Sequence, residues 1–234
     1  MTGTPRSPRA RFREQTRAEI KDAALQQLAQ GGTSAVALIR IAKSVGMSGP
    51  ALYRYFDSRD ALLTELVRDA YDDLAAAVRH AASGISAQAT PRSRLHTLAD
   101  AYRTWAVAQP QRYLLIQGTP VPGYTAPPDT IDRARAAAMT PFLAAFGAAT
   151  PTGSVQPVVD QMTAWTRQDP AVAAWAAEHS PSPGTALAGV VLAWSHMHGA
   201  VSLEVSGLFT GMGHTGDTLL AAQIDALADA FRLA

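Results

Sequence analysis

The chain of 234 residues is 47% apolar, carries a formal charge of +1 at pH 7 and contains no cysteine. That much apolar material supports a buried core and argues against disorder, and the missing cysteine excludes disulfides, thiolate metal sites and a cysteine nucleophile. The length suits one small and one larger domain, and a reducing cytoplasm is the expected setting.

Charge is unevenly spread. Residues 1–60 hold ten Lys or Arg against five acids, and the other 174 residues hold ten against fourteen. A basic N-terminal quarter is what an end that meets phosphate requires, although surface charge also segregates by chance.

The first segment, residues 1–13, is rich in Pro, Ser and Arg without the apolar run of a secretory signal, and reads as a flexible basic arm. Its Arg6, Arg9, Arg11 and Arg13 either follow a minor groove or phosphate ridge, or stay in solvent. Residues 14–30 place Ile20, Ala24 and Leu28 at helical spacing, with Leu25 beside them, until Gly31 and Gly32 stop the run. Residues 35–45 put Leu38, Ile41, Ala42 and Val45 on one face of a second helix that Gly46 ends. Ser48 is the natural N-cap of a third, about Gly49 to Phe56, with Pro50 tolerated in its first turn. Asp57 and Asp60 open a long helix to about Ser83, and helical patterns broken by Pro and Gly near 83–91, 118–128, 147–157 and 180–184 fill the rest. No stretch alternates as a strand does, so the fold class is all-α.

Two short helices joined by Val45-Gly46-Met47-Ser48 make a helix-turn-helix, whose second helix enters a major groove. Leu52 and Phe56 point one way, leaving Ala51, Tyr53, Arg54 and Tyr55 elsewhere. Small residues at the start let the backbone approach DNA, and tyrosine hydroxyls and the helix N-terminus both suit phosphate. An ordinary helical hairpin with exposed tyrosines fits the same spacing.

The stretch from Thr33 to Phe56, with Ile41-Ala42, Gly46, Ser48 and Ala51-Leu52-Tyr53-Arg54-Tyr55-Phe56 in register, resembles the DNA-binding region of the tetracycline-repressor (TetR) family. The likeness runs on through Ser58-Arg59-Asp60-Ala61-Leu62-Leu63 and covers about residues 14–66. It implies that Gly49, Pro50 and Ala51 face the groove, and that Tyr53 and Tyr55 touch phosphates or a thymine methyl. It further implies that Ser48 caps the recognition helix, Arg59 holds the DNA backbone at the start of the fourth helix, and Lys43, on the second helix, adds a phosphate contact; Arg54 is a candidate contact from its place on the recognition helix. The chain departs at Ile39, where many members carry a polar or basic residue; Arg40 is the candidate replacement. The resemblance thus divides the chain into an arm at 1–13, a DNA-binding domain at 14–60 and a ligand-binding and dimerisation domain at 61–234.

In that last part, residues 185–203 carry no charged side chain, a length that can span a bilayer. Ser195, His196, His198 and Ser202 at its middle, and the lack of flanking anchors, favour a buried helix of about Pro183 to Phe209. A final helix from about Asp217 to Leu233 aligns Leu220, Ile224, Leu227 and Phe231. These two helices either meet a partner's pair in a four-helix homodimer interface or pack within the chain. The string from Trp194 to Glu204, with His198-Gly199, resembles a TetR-family ligand-binding domain named for a Trp-His-Gly signature.

His196 and His198 project ~200° apart on a helix, so they do not converge on a metal, and no metal or cofactor is expected. Tyr102, Trp105, Tyr113, Met139, Phe142, Met162, Trp165, Trp194, Met197 and His198 are the candidate pocket, suited to a small, largely apolar effector. The same residues at helical spacing also describe plain core. The loop from Gly118 to Pro128 either gates an entrance or merely connects two helices. No nucleophile elbow, metalloprotease helix or phosphate-binding glycine loop marks an enzyme. The expected function is a homodimeric cytoplasmic regulator of double-stranded DNA, most simply a repressor released by ligand. An activator, a ligand-independent regulator and a helical small-molecule binder without DNA are the alternatives.

Overall fold

The computed structural model describes residues 7–32, 35–117, 124–125 and 127–234, and only the backbone of 129–135. Among these every regular element is helical, as the periodicity predicts. The chain divides into two compact units. One comprises the residues up to Ala70 with Gln111–Pro128, and the other Tyr71–Pro110 with Asp129–Ala234.

The first unit is built on α1 (Pro8–Gly31), α2 (Leu38–Ser44), α3 (Gly49–Leu52) and the first half of α4 (Arg59–Gly84). Ile20, Ala24, Leu28, Leu38, Ile41, Leu52, Phe56, Leu62 and Leu63 share one core. They derive from four different segments, so burial of a common apolar face holds the short α2 and α3 where their own propensity would not. Leu115, from α6 (Pro110–Gln117), and Tyr124 pack on the same core, and the Tyr124 hydroxyl lies 3.0 Å from Thr64 Oγ1. α1 starts at Pro8, six residues before the periodicity suggests, so residues 8–13 are its first turns. The signal was polar: the Ser7 hydroxyl accepts from Ala10 N at 3.3 Å, and Pro8 fits the first turn, where no N–H partner is needed. Residues 1–6 of the expected arm lie outside the described residues, as do Gly118–Gly123 and Ala126 of the expected gating loop.

The second unit contains α5 (Pro91–Ala108), α7 (Pro128–Leu143), α8 (Gln156–Gln168), α9 (Pro170–Ala177), α10 (Pro183–Val205) and α11 (Gly216–Ala230). α10 is its axis, packed on α5, α8, α9 and α11. It is long and apolar enough to cross a membrane, at mean hydropathy 1.3, yet half of that window is buried among its neighbours. It ends at Val205 rather than Phe209, where Gly207 takes a left-handed φ of 73°. Polar ties flank the core: Arg103 grips Glu204 with two guanidinium nitrogens, and Arg92 pairs with both Asp225 and Asp229.

Of the two arrangements open for the apolar stripe of the last helix, packing within the chain is the one found. Leu220, Ile224, Leu227 and Phe231 are at most 2% exposed within this unit, so the α11 stripe is intramolecular core and not a partner-facing surface. Phe231 meets Phe146 edge-on, centroids 5.0 Å apart. Amphipathic spacing is the same whichever chain covers the apolar side.

Candidate DNA interface and ligand groove

The helix-turn-helix turn is closed by backbone alone. Met47 N donates to Ala42 O at 2.8 Å and Gly46 N to Lys43 O at 3.2 Å, the paired bonds of a Schellman cap. That cap needs a left-handed residue, and Gly46 supplies it at φ 69°. Ser48 then takes the extended N-cap conformation before α3, as expected, but its hydroxyl makes no capping bond.

α3 is shorter than the sequence suggests. After Leu52 the turn tightens to i→i+3 bonds, Arg54 N to Ala51 O at 3.3 Å and Tyr55 N to Leu52 O at 2.8 Å. The tightening lets Phe56, 2% exposed, follow Leu52 into the core, while Ser58 accepts from Ala61 N at 3.0 Å to start α4. What remains outside is a short polar ridge. Lys43, Ser48, Pro50, Tyr53 and Arg54 are exposed, and Gly49, Ala51, Tyr55 and Arg59 half-buried. Tyr53, half exposed, offers the largest free ring, whereas Tyr55 packs partly on the core.

Arg59 donates from Nε to Val36 O at 3.1 Å and lies 3.7 Å from Asp60, tying α4 to the start of α2. Ile39 is 76% exposed, and Arg40 bonds back to Ala35 O beneath it. Sequence reasoning missed Arg17 and placed Arg13 in the arm; the two lie one turn apart on α1, and both reach carbonyls at the end of the recognition turn. Their i, i+4 spacing was the only available signal.

In the second unit α7, α8, α9 and α10 enclose a groove of ≈570 Å³, lined by Met139, Trp165, Trp175, Val190, Val191 and Trp194 among others. Of its described lining Asp169 alone is charged, and that carboxylate caps α9 by accepting from Ala171 N and Val172 N at 2.9 and 3.2 Å. Trp175 is held by an indole bond to Thr140 Oγ1 at 3.1 Å. Of the expected pocket residues, Met139, Trp165 and Trp194 line this groove. Tyr102, Phe142 and Met197 are fully buried core of the unit, and Trp105 donates to Asp73 at 3.1 Å. Met162 and His198 are half-buried outside the lining, and Tyr113 is buried in the other unit. Trp175, unmarked in a uniformly apolar eight-residue helix, was missed.

Burial pushes the His198 imidazole below its ordinary pKa of 6.5, favouring the neutral form. His196 Nδ1 lies 3.3 Å from Gln223 O, and His96 Nε2 lies 2.9 Å from Asp225. Among the described residues no three His, Asp or Glu gather to hold a metal.

Comparison with known proteins agrees with this division of features. Residues 20–66 match the family described as bacterial regulatory proteins, tetR family, and residues 95–227 match the tetracyclin repressor-like C-terminal domain. The HTH-type transcriptional regulator Rv1816 of Mycobacterium tuberculosis is 34% identical over 197 residues, 84% of this chain and 83% of its own. The crystal structure of regulatory protein SCO4313 superposes with a TM-score of 0.77 at 44% identity, covering 97% of this chain and 100% of that one. Bacillus subtilis FadR, solved in complex with stearoyl-CoA, shares the fold at TM-score 0.60 and 11% identity, over 91% of this chain and 98% of its own.

Proposed function

The chain belongs to the tetR family of DNA-binding regulators, and we propose that it acts as a homodimeric repressor released from its operator by a small, largely apolar ligand. The observation that carries this reading is the polar ridge from Ser48 to Arg54, held outward on the buried side chains of Leu52 and Phe56. Two such ridges in a two-fold dimer, about 34–36 Å apart, match successive major grooves of a pseudo-palindrome. Lys43, Ser48, Tyr53 and Arg54 bind phosphate, Gly49, Pro50 and Ala51 admit the groove edge, and Tyr55 and Arg59 steady the ridge while touching the backbone.

The dimer uses what α10 and α11 leave outside, with Ser195, Ala222 and Ala226 exposed and small enough for a second chain's helices to come close. The ligand takes the three-indole groove, in a domain of the Trp-His-Gly type. Flat apolar walls bind a flat apolar molecule, and the ligand weakens DNA binding by as much as it prefers the non-binding conformation.

A gel shift on the DNA upstream of the chain's own gene, with nonspecific competitor at physiological salt, should give one competitor-resistant band. Tyr53→Ala should weaken it roughly tenfold, about 1.4 kcal/mol, and leave the sedimenting dimer intact. Failure both on that DNA and on a random-duplex selection would sink the DNA reading in favour of a helical binding protein.

Three of the four tryptophans line the groove, so its occupancy is readable directly. The uncharged aromatic probe N-phenyl-1-naphthylamine should quench their emission saturably and release the operator. Trp165→Ala, at a position 40% exposed, should cost the probe about fivefold in affinity, on the scale of one aromatic contact. Unchanged affinity would mean that the probe binds elsewhere.

A further inference from the structure

We propose that Arg17, assisted by Arg13, is a positioning residue for DNA recognition: from α1 it holds the carbonyl end of the recognition turn, without touching DNA. The proposal rests on the reading that the Ser48–Arg54 ridge is the DNA-contacting element.

α3 has four helical residues, too few to hold their own shape in water. Leu52 and Phe56 fix it by apolar contact, which resists withdrawal but defines rotation about the anchor poorly, because dispersion is not directional. The end of the turn has directional partners instead. Arg17 Nη1 donates to Tyr55 O at 2.6 Å, and Arg13 Nη2 to Arg54 O at 3.4 Å. Both cations also sit over rings of the same turn, Arg17 at 4.4 Å from the Phe56 centroid and Arg13 at 5.9 Å from that of Tyr55.

Arg17 is itself held. Its Nη2 pairs with Glu65 of α4, whose other oxygen lies 3.1 Å from Lys21 Nζ, and Lys21 reaches Asp69 at 2.7 Å. Burial raises the Glu65 pKa, but the hydrogen bonds from Arg17 and Lys21 outweigh it and keep the carboxyl below its ordinary 4.5. The charge that orients Arg17 is therefore present at neutral pH. Because that folded pKa is depressed, the tie is complete above pH 4.5 and is lost as pH falls through the lowered value.

A planar guanidinium with one arm on a carboxylate and the other on a carbonyl fixes both distance and angle, which a lysine ammonium cannot do. Arg17, with 26% of its side chain exposed, thus joins α1, the recognition turn and α4 into one rigid head. A phosphate contact is the competing role, and it has a separate signature. Each neutralised phosphate contributes about 0.9 to the slope of log affinity against log salt, whereas a positioning residue contributes none.

The test uses the full chain and its selected operator. Arg17→Met should bind about tenfold more weakly with the salt slope unchanged, and the amides of residues 49–57 should exchange hydrogen about tenfold faster. Arg17→Lys, which keeps the charge and lacks the fork, should show most of both effects. Glu65→Gln should show part of them, and these two conservative variants decide the matter if Arg17→Met does not fold. Unchanged exchange over residues 49–57 would overturn the clamp. A slope lowered by about one in Arg17→Met and restored in Arg17→Lys would overturn it in favour of a phosphate contact. If the unmodified chain selects no duplex, the reading of the ridge fails; exchange that is still faster in Arg17→Met would then leave a structural clamp with no role in DNA binding.

Discussion

Replacing Gly189 with valine is expected to destabilise the second unit by roughly 3 kcal/mol, near the upper end for an overpacked core. A Cβ at Gly189 would stand 2.3 Å from two carbons of the Phe146 ring, well inside van der Waals contact. Relief requires the ring to move, and Phe146 is fully buried and held edge-on against Phe231 at 67°. Backing α10 away instead would strip contact from α5, α8 and α11 together. The cost should appear as a fall of roughly 6–12 °C in a Tm followed by tryptophan emission. A variant that melts like the parent would show that Phe146 has somewhere to go. Gly199 provides the contrast within the same helix, since among the described residues nothing beyond its own helix backbone and chain neighbours stands within 4 Å of the point a Cβ would occupy there. Gly199→Ala should therefore leave the melt unchanged or raise it by up to about 1 kcal/mol through helix propensity; a fall, with loss of the dimer, would place a partner helix against that glycine.

The contrast between these two glycines also marks where sequence reasoning ends. The all-helical class was legible because apolar periodicity and Gly and Pro punctuation are local signals, and the same signals located Gly46, Leu52 and Phe56 correctly. The start of α1 was lost because Arg9, Arg11 and Arg13 carry no apolar period, although Ser7-Pro8 states a helix start in polar terms. Tyr102, Phe142 and Met197 read as one pocket with Met139, Trp165 and Trp194, because an aromatic or a methionine at helical spacing is written alike whether it meets another side chain or a void. The α11 stripe stayed undecided for a similar reason, since its spacing does not say whose helix covers it. Arg17 was unreadable for a different reason: its carbonyl acceptor is 38 residues away, and a backbone oxygen has no letter in the sequence.

Phe56→Ala should remove DNA binding while leaving the second unit folded. Phe56 ends the recognition turn, is 2% exposed and lies beneath the Arg17 guanidinium, so truncation removes the turn's anchor and the ring under its clamp together. A buried Phe→Ala costs about 3–5 kcal/mol, against a total of roughly 4–13 kcal/mol for a unit of this size. The first unit then stands between marginal and unfolded, and operator affinity should fall by more than about a hundredfold, since a mobile ridge forfeits several contacts at once. Trp105, Trp165, Trp175 and Trp194 all belong to the second unit, which makes their emission a reporter for that unit alone. In Phe56→Ala the helical signal in circular dichroism should begin to melt well below the tryptophan transition, and the probe should still fill the groove. Coincident, equally lowered transitions would mean that the two units unfold as one, and the loss of DNA binding would then carry no information about the ridge. Phe56→Leu separates the two contributions within the first unit: leucine restores most of the apolar anchor but offers no ring to Arg17. Its stability should return to within about 1.5 kcal/mol of the parent, and any deficit in operator affinity that persists belongs to the orientation of the turn.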